Sequence, residues 1–248
     1  MPQPLTIMDD IRLSAVLETP EGAPEGGPLV ILLHGLTSAK DRPHTLLAAQ
    51  AMREAGFATL RFDLYGHGES GGEFRKHTLP KWISNTLAVI DHVRGLGYTD
   101  LWLSGHSQGG LVAALAGAME RDRVRGLILR APAFMIPRGA REGSLLGRDF
   151  DPDHIPDDIP VIKGLTLEGN YLRTAQAIRA EDAADRFRNP VLILQGDEDD
   201  LVPAESVKEM AARYADCDLV ILPGETHHFD KHPDEMYRHI RTWLEKHK

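Results

Sequence analysis

The chain has 248 residues, 42% hydrophobic and 26% charged, which suits one large folded domain and excludes intrinsic disorder. Its formal net charge of -9, with no Lys/Arg-rich run, argues against nucleic acid as a partner. A single cysteine, Cys217, excludes an intrachain disulfide and fits a reducing compartment. No secretory signal is read at the start, and no apolar run is long enough to span a bilayer. The expectation is a cytoplasmic protein with neither membrane nor nucleic acid as partner; a homodimer is left open.

Residues 5–8 and 11–17 read as two short strands joined at Asp9-Asp10. The Pro- and Gly-rich stretch 19–28 is a surface loop. The apolar run 29–33 fits a strand buried on both faces and ends at His34-Gly35-Leu36-Thr37. Pro43 opens a helical pattern that Gly56 stops. A strand over 57–62 leads into Asp63-Leu64-Tyr65-Gly66-His67-Gly68-Glu69-Ser70, and a helix follows over 80–94. Next come a strand from Leu101, a helix to about Met119 and a strand over 124–129. This alternation predicts an α/β fold with a mostly parallel sheet covered on both faces.

The rhythm breaks over about 133–179, which holds Pro137, Pro152, Pro156 and Pro160 and no clear βα unit. An insertion of that length leaving the C-terminal end of a strand is expected to be a lid within a single domain, 1–248. The rhythm returns with a strand over 191–195, a helix over 204–214, a strand over 219–222 and a closing helix over 233–246.

Gly105-His106-Ser107-Gln108-Gly109 lies where a strand hands over to a helix. A turn this sharp displays Ser107 at the sheet edge, and a Cβ at Gly105 or Gly109 would collide in it. A serine hydroxyl needs a base, and the base needs an acid to orient it. The base is expected in Gly224-Glu225-Thr226-His227-His228-Phe229, with His227 the choice and His228 pointing elsewhere. The acid is expected among Asp197, Glu198, Asp199 and Asp200, after the strand ending at Gln195. Asp199 is chosen on the Gly-x-x-Asp-x-x-Val-Pro spacing, and its neighbours are read as capping or solvating the turn.

The oxyanion would be held by the main-chain N–H groups of Gln108 and Leu36, with His34 bracing the second loop. His228 and His232 lack a ligand set at metal spacing, so no metal is expected, nor any organic cofactor. His44, His77, His92 and His154 are read as surface or packing residues.

Together, His34-Gly35, Asp63-x-x-Gly66-x-Gly68-x-Ser70, Gly105-His106-Ser107-Gln108-Gly109-Gly110, Gly196-x-x-Asp199-x-x-Val202-Pro203 and Gly224-x-x-His227-x-Phe229 resemble the α/β-hydrolase superfamily along the whole chain. Within it, Asp151-Pro152-Asp153-His154-Ile155-Pro156-Asp157 and Leu165-Thr166-Leu167-Glu168-Gly169-Asn170-Tyr171-Leu172 resemble the bacterial cinnamoyl/feruloyl esterases. That resemblance implies an ester substrate with a hydroxycinnamate acyl group, covered by the lid. By the family's pattern Tyr171 sits near the phenol hydroxyl; Ile136, Leu145, Phe150 and Ile162 are the expected apolar contacts. The alternatives are a broad short-chain carboxylesterase, thioesterase or lysophospholipase-like hydrolase and, more remotely, a non-catalytic ligand-binding protein of the same fold.

Overall fold

The computed structural model describes residues 2–145 and 147–248. The chain opens with β1 (Gln3–Met8) and β2 (Arg12–Glu18), then runs through β3 (Leu29–Leu33), α1 (Pro43–Glu54) and β4 (Ala58–Phe62). It continues with α2 (Leu79–Gly95), β5 (Leu101–His106), α3 (Gln108–Met119) and β6 (Val124–Arg130). After a long insert the sheet resumes with β11 (Val191–Gly196), α7 (Ala204–Ala211), β12 (Cys217–Leu222) and α8 (Pro233–His247).

Eight strands form one sheet in the order β1-β2-β4-β3-β5-β6-β11-β12. Only the β1–β2 and β2–β4 pairs are antiparallel. β3, β4, β5 and β11 are buried on both faces, whereas the edge strand β12 buries only Leu222 fully, and side chains are sorted by alternation. Val30 and Leu32 point to the face covered by α1 and α8, where they meet Met52, Trp102, Ile240 and Trp243. Leu29, Ile31 and Leu33 point to the other, where Trp82, Ile90 and Leu111 belong to the larger core.

The insert is more ordered than its prolines suggest. It holds α4 (Met135–Glu142), the two-residue strands β7 (Ser144–Leu145) and β8 (Arg148–Asp149), and the hairpin of β9 (Asp158–Pro160) with β10 (Thr166–Glu168). It ends in α5 (Asn170–Gln176), and α6 (Ala180–Arg186) leads back to the sheet. None of these pieces exceeds eight residues, too few turns for a hydrophobic period to stand out in sequence. No described helix is long and apolar enough to cross a membrane.

Register decides where the loops meet. Leu33 of β3 pairs with Phe62 of β4 and Gly105 of β5, His106 with Arg130 of β6, and Gly196 of β11 with Leu222 of β12. These parallel strands therefore end together, and the loops that follow them crowd one edge, where open α/β sheets bind ligands. At the β5–α3 turn a Cβ on Gly105 would lie 2.1 Å from the Gly109 carbonyl oxygen, and one on Gly109 would lie 2.3 Å from that of His34. Both obstacles are backbone and cannot swing aside. Gly105→Ala is expected to cost about 2–3 kcal/mol and to lower the thermal midpoint by about 4–12 °C, measured by calorimetry.

Candidate active site

Ser107 stands alone between β5 and α3 with φ 56° and ψ -123°. Positive φ strains a residue that carries a Cβ, at about 1–3 kcal/mol. Among the described residues only Thr37, Ala131 and Phe229 share this state outside glycine, with φ of 58°, 44° and 56°. Each follows the end of a different strand at the edge that carries Ser107, so the backbone strain is gathered around one place.

His227 lies just past β12 and Asp199 just past β11. The His227 ring donates from Nδ1 to Asp199 Oδ2 at 2.8 Å, and the Asp199 side chain is fully buried. The same oxygen accepts from Gln195 Nε2, while Oδ1 accepts from the Leu201 and Val202 main-chain N–H groups at 2.9 and 2.8 Å. Burial alone would raise this carboxyl; the His227 contact and the two N–H donors outweigh it and hold the group below the usual carboxylate range. Its three acidic neighbours do other work. Asp197 accepts from the Gly224 N–H, Glu198 pairs with Lys231, and Asp200 is exposed. Of the four carboxylates, Asp199 is the one that holds the imidazole.

Ser107 and His227 line one cavity of about 90 Å³. Leu36 and Gln108 border it, and among the described residues neither main-chain N–H meets an acceptor. The loop carrying Leu36 is braced by two histidines. His34 donates from Nδ1 to the Gly35 carbonyl and accepts the Leu64 N–H at Nε2; His67 accepts the Thr37 N–H. Behind them Asp63 accepts from the Lys40 ammonium and from the Lys40 and Glu69 main-chain N–H groups, so the Asp63–Ser70 motif shapes the turn.

The insert adds Ala133, Met135, Ile136, Ile162 and Tyr171 to the wall, and Leu201 and Val202 of the Asp199 loop complete it. Leu145 and Phe150 are not part of it, contrary to expectation. Gly143 ends α4 in the left-handed conformation, with φ 79°, and turns the chain away; both side chains then pack half-buried on the main core. Tyr171 is fully buried, and its hydroxyl donates to Gln108 Oε1 at 2.8 Å. Gln108 Nε2 in turn reaches His77 Nε2 at 3.4 Å, and His77 donates from Nδ1 to the Phe74 carbonyl.

His228 does not point elsewhere: its exposed ring borders the same cavity. With His106 and His227 it offers nitrogens within 4.8 Å of one another, whereas His232 is tied to Glu225 through its main-chain N–H. Two further residues escaped the sequence reading. Buried Glu225 accepts the Thr226, Lys231 and His232 N–H groups and so fixes the loop that carries His227. Buried His106 donates from Nε2 to the His227 carbonyl at 2.8 Å, tying the Ser107 turn to that loop. Position beside Ser107 was the only signal for His106; nothing in the sequence marks Glu225.

The family described as "Serine aminopeptidase, S33" matches residues 25–149, and that described as "TAP-like protein" matches residues 171–248. Est1E from Butyrivibrio proteoclasticus, solved with ferulic acid bound, is 44% identical, with a TM-score of 0.96 and 98% of each chain covered. The monoacylglycerol lipase of Mycolicibacterium smegmatis is 24% identical over 96% of this chain and 94% of its own. Human Protein ABHD12B is 27% identical over 75% of this chain, which spans 49% of that relative's length. The chain belongs to the α/β-hydrolase superfamily. Its curated relatives include a lipase.

Burial sets the acid stability of this region. It holds His34, His44 and His77 neutral, each with its pKa lowered to about 3; the neighbouring His67 adds to this at His34 and His77, and Arg130 at His44. In the unfolded chain each takes a proton below about pH 6.5, so the unfolded state binds more protons there. Stability is therefore expected to be insensitive to these groups above about pH 6.5 and to fall as pH drops below it, by up to about 1.4 kcal/mol per pH unit per histidine. Urea midpoints at neutral and mildly acid pH check the slope.

Proposed function

We propose that this protein is a serine carboxylic-ester hydrolase acting on hydroxycinnamate esters of the feruloyl or cinnamoyl type. The observation that carries the reading is the 2.8 Å bond between His227 and buried Asp199, with His227 lining the same small cavity as the strained Ser107.

Ser107 Oγ attacks the ester carbonyl while His227 Nε2 takes its proton. Asp199 fixes the tautomer, since Nδ1 is committed to it, and stabilises the imidazolium that forms. The Leu36 and Gln108 N–H groups receive the oxyanion; a donor of this kind is worth about 10²–10³ in rate. His227 returns the proton to the leaving alcohol, and water releases the acid from the acyl-enzyme by the reverse steps. The insert is the lid. Its side chains at the cavity, Met135, Ile136, Ile162 and Tyr171, carry no formal charge, which suits a flat aromatic acyl group. The likeness to Est1E with ferulic acid bound supports this acyl group over an alkyl one.

Ser107→Ala is expected to lower kcat/KM on methyl ferulate by at least about 10³-fold while the protein stays folded, and Asp199→Asn by about 10³–10⁴-fold. Turnover near the native level in Ser107→Ala would overturn the mechanism. In the native chain kcat/KM for methyl ferulate should exceed that for an aliphatic ester of similar size. The reverse order would make it a general carboxylesterase or lysophospholipase-like enzyme with the same triad.

A further inference from the structure

The esterase reading uses the main-chain N–H of Gln108 and leaves its buried side chain without a task. The peptide that carries this N–H joins Gln108 to Ser107, the residue held at φ 56°. A small rotation of that peptide would relieve the strain at Ser107 and turn the N–H away from an oxyanion. Its carbonyl end is fixed, because the Ser107 oxygen accepts the Gly110, Leu111 and Ala133 N–H groups. Its other end is the Gln108 Cα, which the side chain can steady.

Two buried groups from different elements grip that side chain. Tyr171 of α5 donates its hydroxyl proton to Oε1 at 2.8 Å, and His77, two residues before α2, accepts from Nε2 at 3.4 Å. Tyr171, Gln108 and His77 are 2%, 1% and 0% exposed, so water does not compete for the amide. The polarity of this chain is set from its far end. His77 Nδ1 donates to the Phe74 carbonyl at 2.8 Å, which leaves Nε2 as the acceptor of a neutral ring. An acceptor there faces the NH2 of Gln108, and the amide oxygen is thereby turned to Tyr171. Burial keeps the ring neutral, as this pattern requires. The ring is also held in line. It stacks on Trp82 and lies T-shaped to Tyr171, with centroids 5.3 Å away in each case.

The geometry points to His77 as a positioning residue for the hydrolysis: with Tyr171 it clamps the Gln108 amide, and the clamp keeps the Gln108 main-chain N–H where the oxyanion forms. The inference rests on the esterase reading above. It gives the Tyr171 hydroxyl a task that needs no phenol in the substrate, so the effect is the same for every acyl group.

The test measures kcat and KM on methyl ferulate, on methyl cinnamate, which has no phenol, and on 4-nitrophenyl acetate. His77→Phe keeps a ring against Trp82 and removes the acceptor. It should lower kcat by about tenfold on all three esters with KM within about twofold, a fraction of the roughly 10²–10³-fold lost with a whole donor. Tyr171→Phe should do the same from the other end, and the double variant should lose less than the product of the two, since both act on one amide. His77→Gln, which offers an amide oxygen in place of Nε2, should recover most of the rate. Should His77→Phe fail to fold, Tyr171→Phe decides on the same terms. Unchanged kcat in the single variants, a loss confined to methyl ferulate or carried by KM, or a His77→Gln variant as slow as His77→Phe overturns the assignment. A native chain that hydrolyses none of the three esters overturns the esterase reading and the clamp with it.

Discussion

The site depends on a close approach of backbone to backbone. β5 has to turn into α3 within a single residue, and the start of α3 has to lie against the end of β3 with no space for a side chain between them. Gly105 and Gly109 make this contact, with carbonyl oxygens at distances that no Cβ tolerates. The strain falls on Ser107, held at φ 56°. Local strain of this size persists only where the surroundings over-determine it. Here the surroundings are the parallel registry of β3, β5 and β6 on either side of the turn.

A second constraint is the handling of charge and polarity behind that edge. The site is ringed by imidazoles: His34 and His67 hold one loop, His106 holds another, and His77 stands behind Gln108. Each of these four rings has its pKa lowered chiefly by burial. Kept neutral, an imidazole can donate at one nitrogen and accept at the other, as His34 and His67 do here. Asp199 is the opposite case. It is a buried carboxylate kept charged by three donors and an imidazole.

Much of this was legible in the sequence because backbone demands leave strong marks. A buried parallel strand is mostly apolar, and a turn without room must be glycine, so the sheet, the Ser107 turn and the loops bearing Leu36 and His227 could be placed from residue order. Side-chain destinations left weaker marks. Asp197, Glu198, Asp199 and Asp200 are chemically alike, and spacing singled out Asp199, the one the turn directs at His227. Leu145 and Phe150 look as suited to the cavity as Ile136 and Ile162, but the turn at Gly143 carries them off. Short helices such as α4, α5 and α6 run too few turns to reveal a face. Glu225 and His106 act through main-chain partners more than a hundred residues apart or within one tight loop, and composition holds no trace of either.

The Tyr171–Gln108 bond has a mechanical consequence. Tyr171 belongs to α5, at the end of the insert, and Gln108 is the first residue of α3, directly after the strained turn. The two elements are thus joined by a buried tether whose second anchor adjoins Ser107. Without it the Gln108 amide would keep only its 3.4 Å contact with His77. The insert and the residue beside Ser107 are in this way pinned to each other, so that a displacement of α5 would be felt at the first turn of α3.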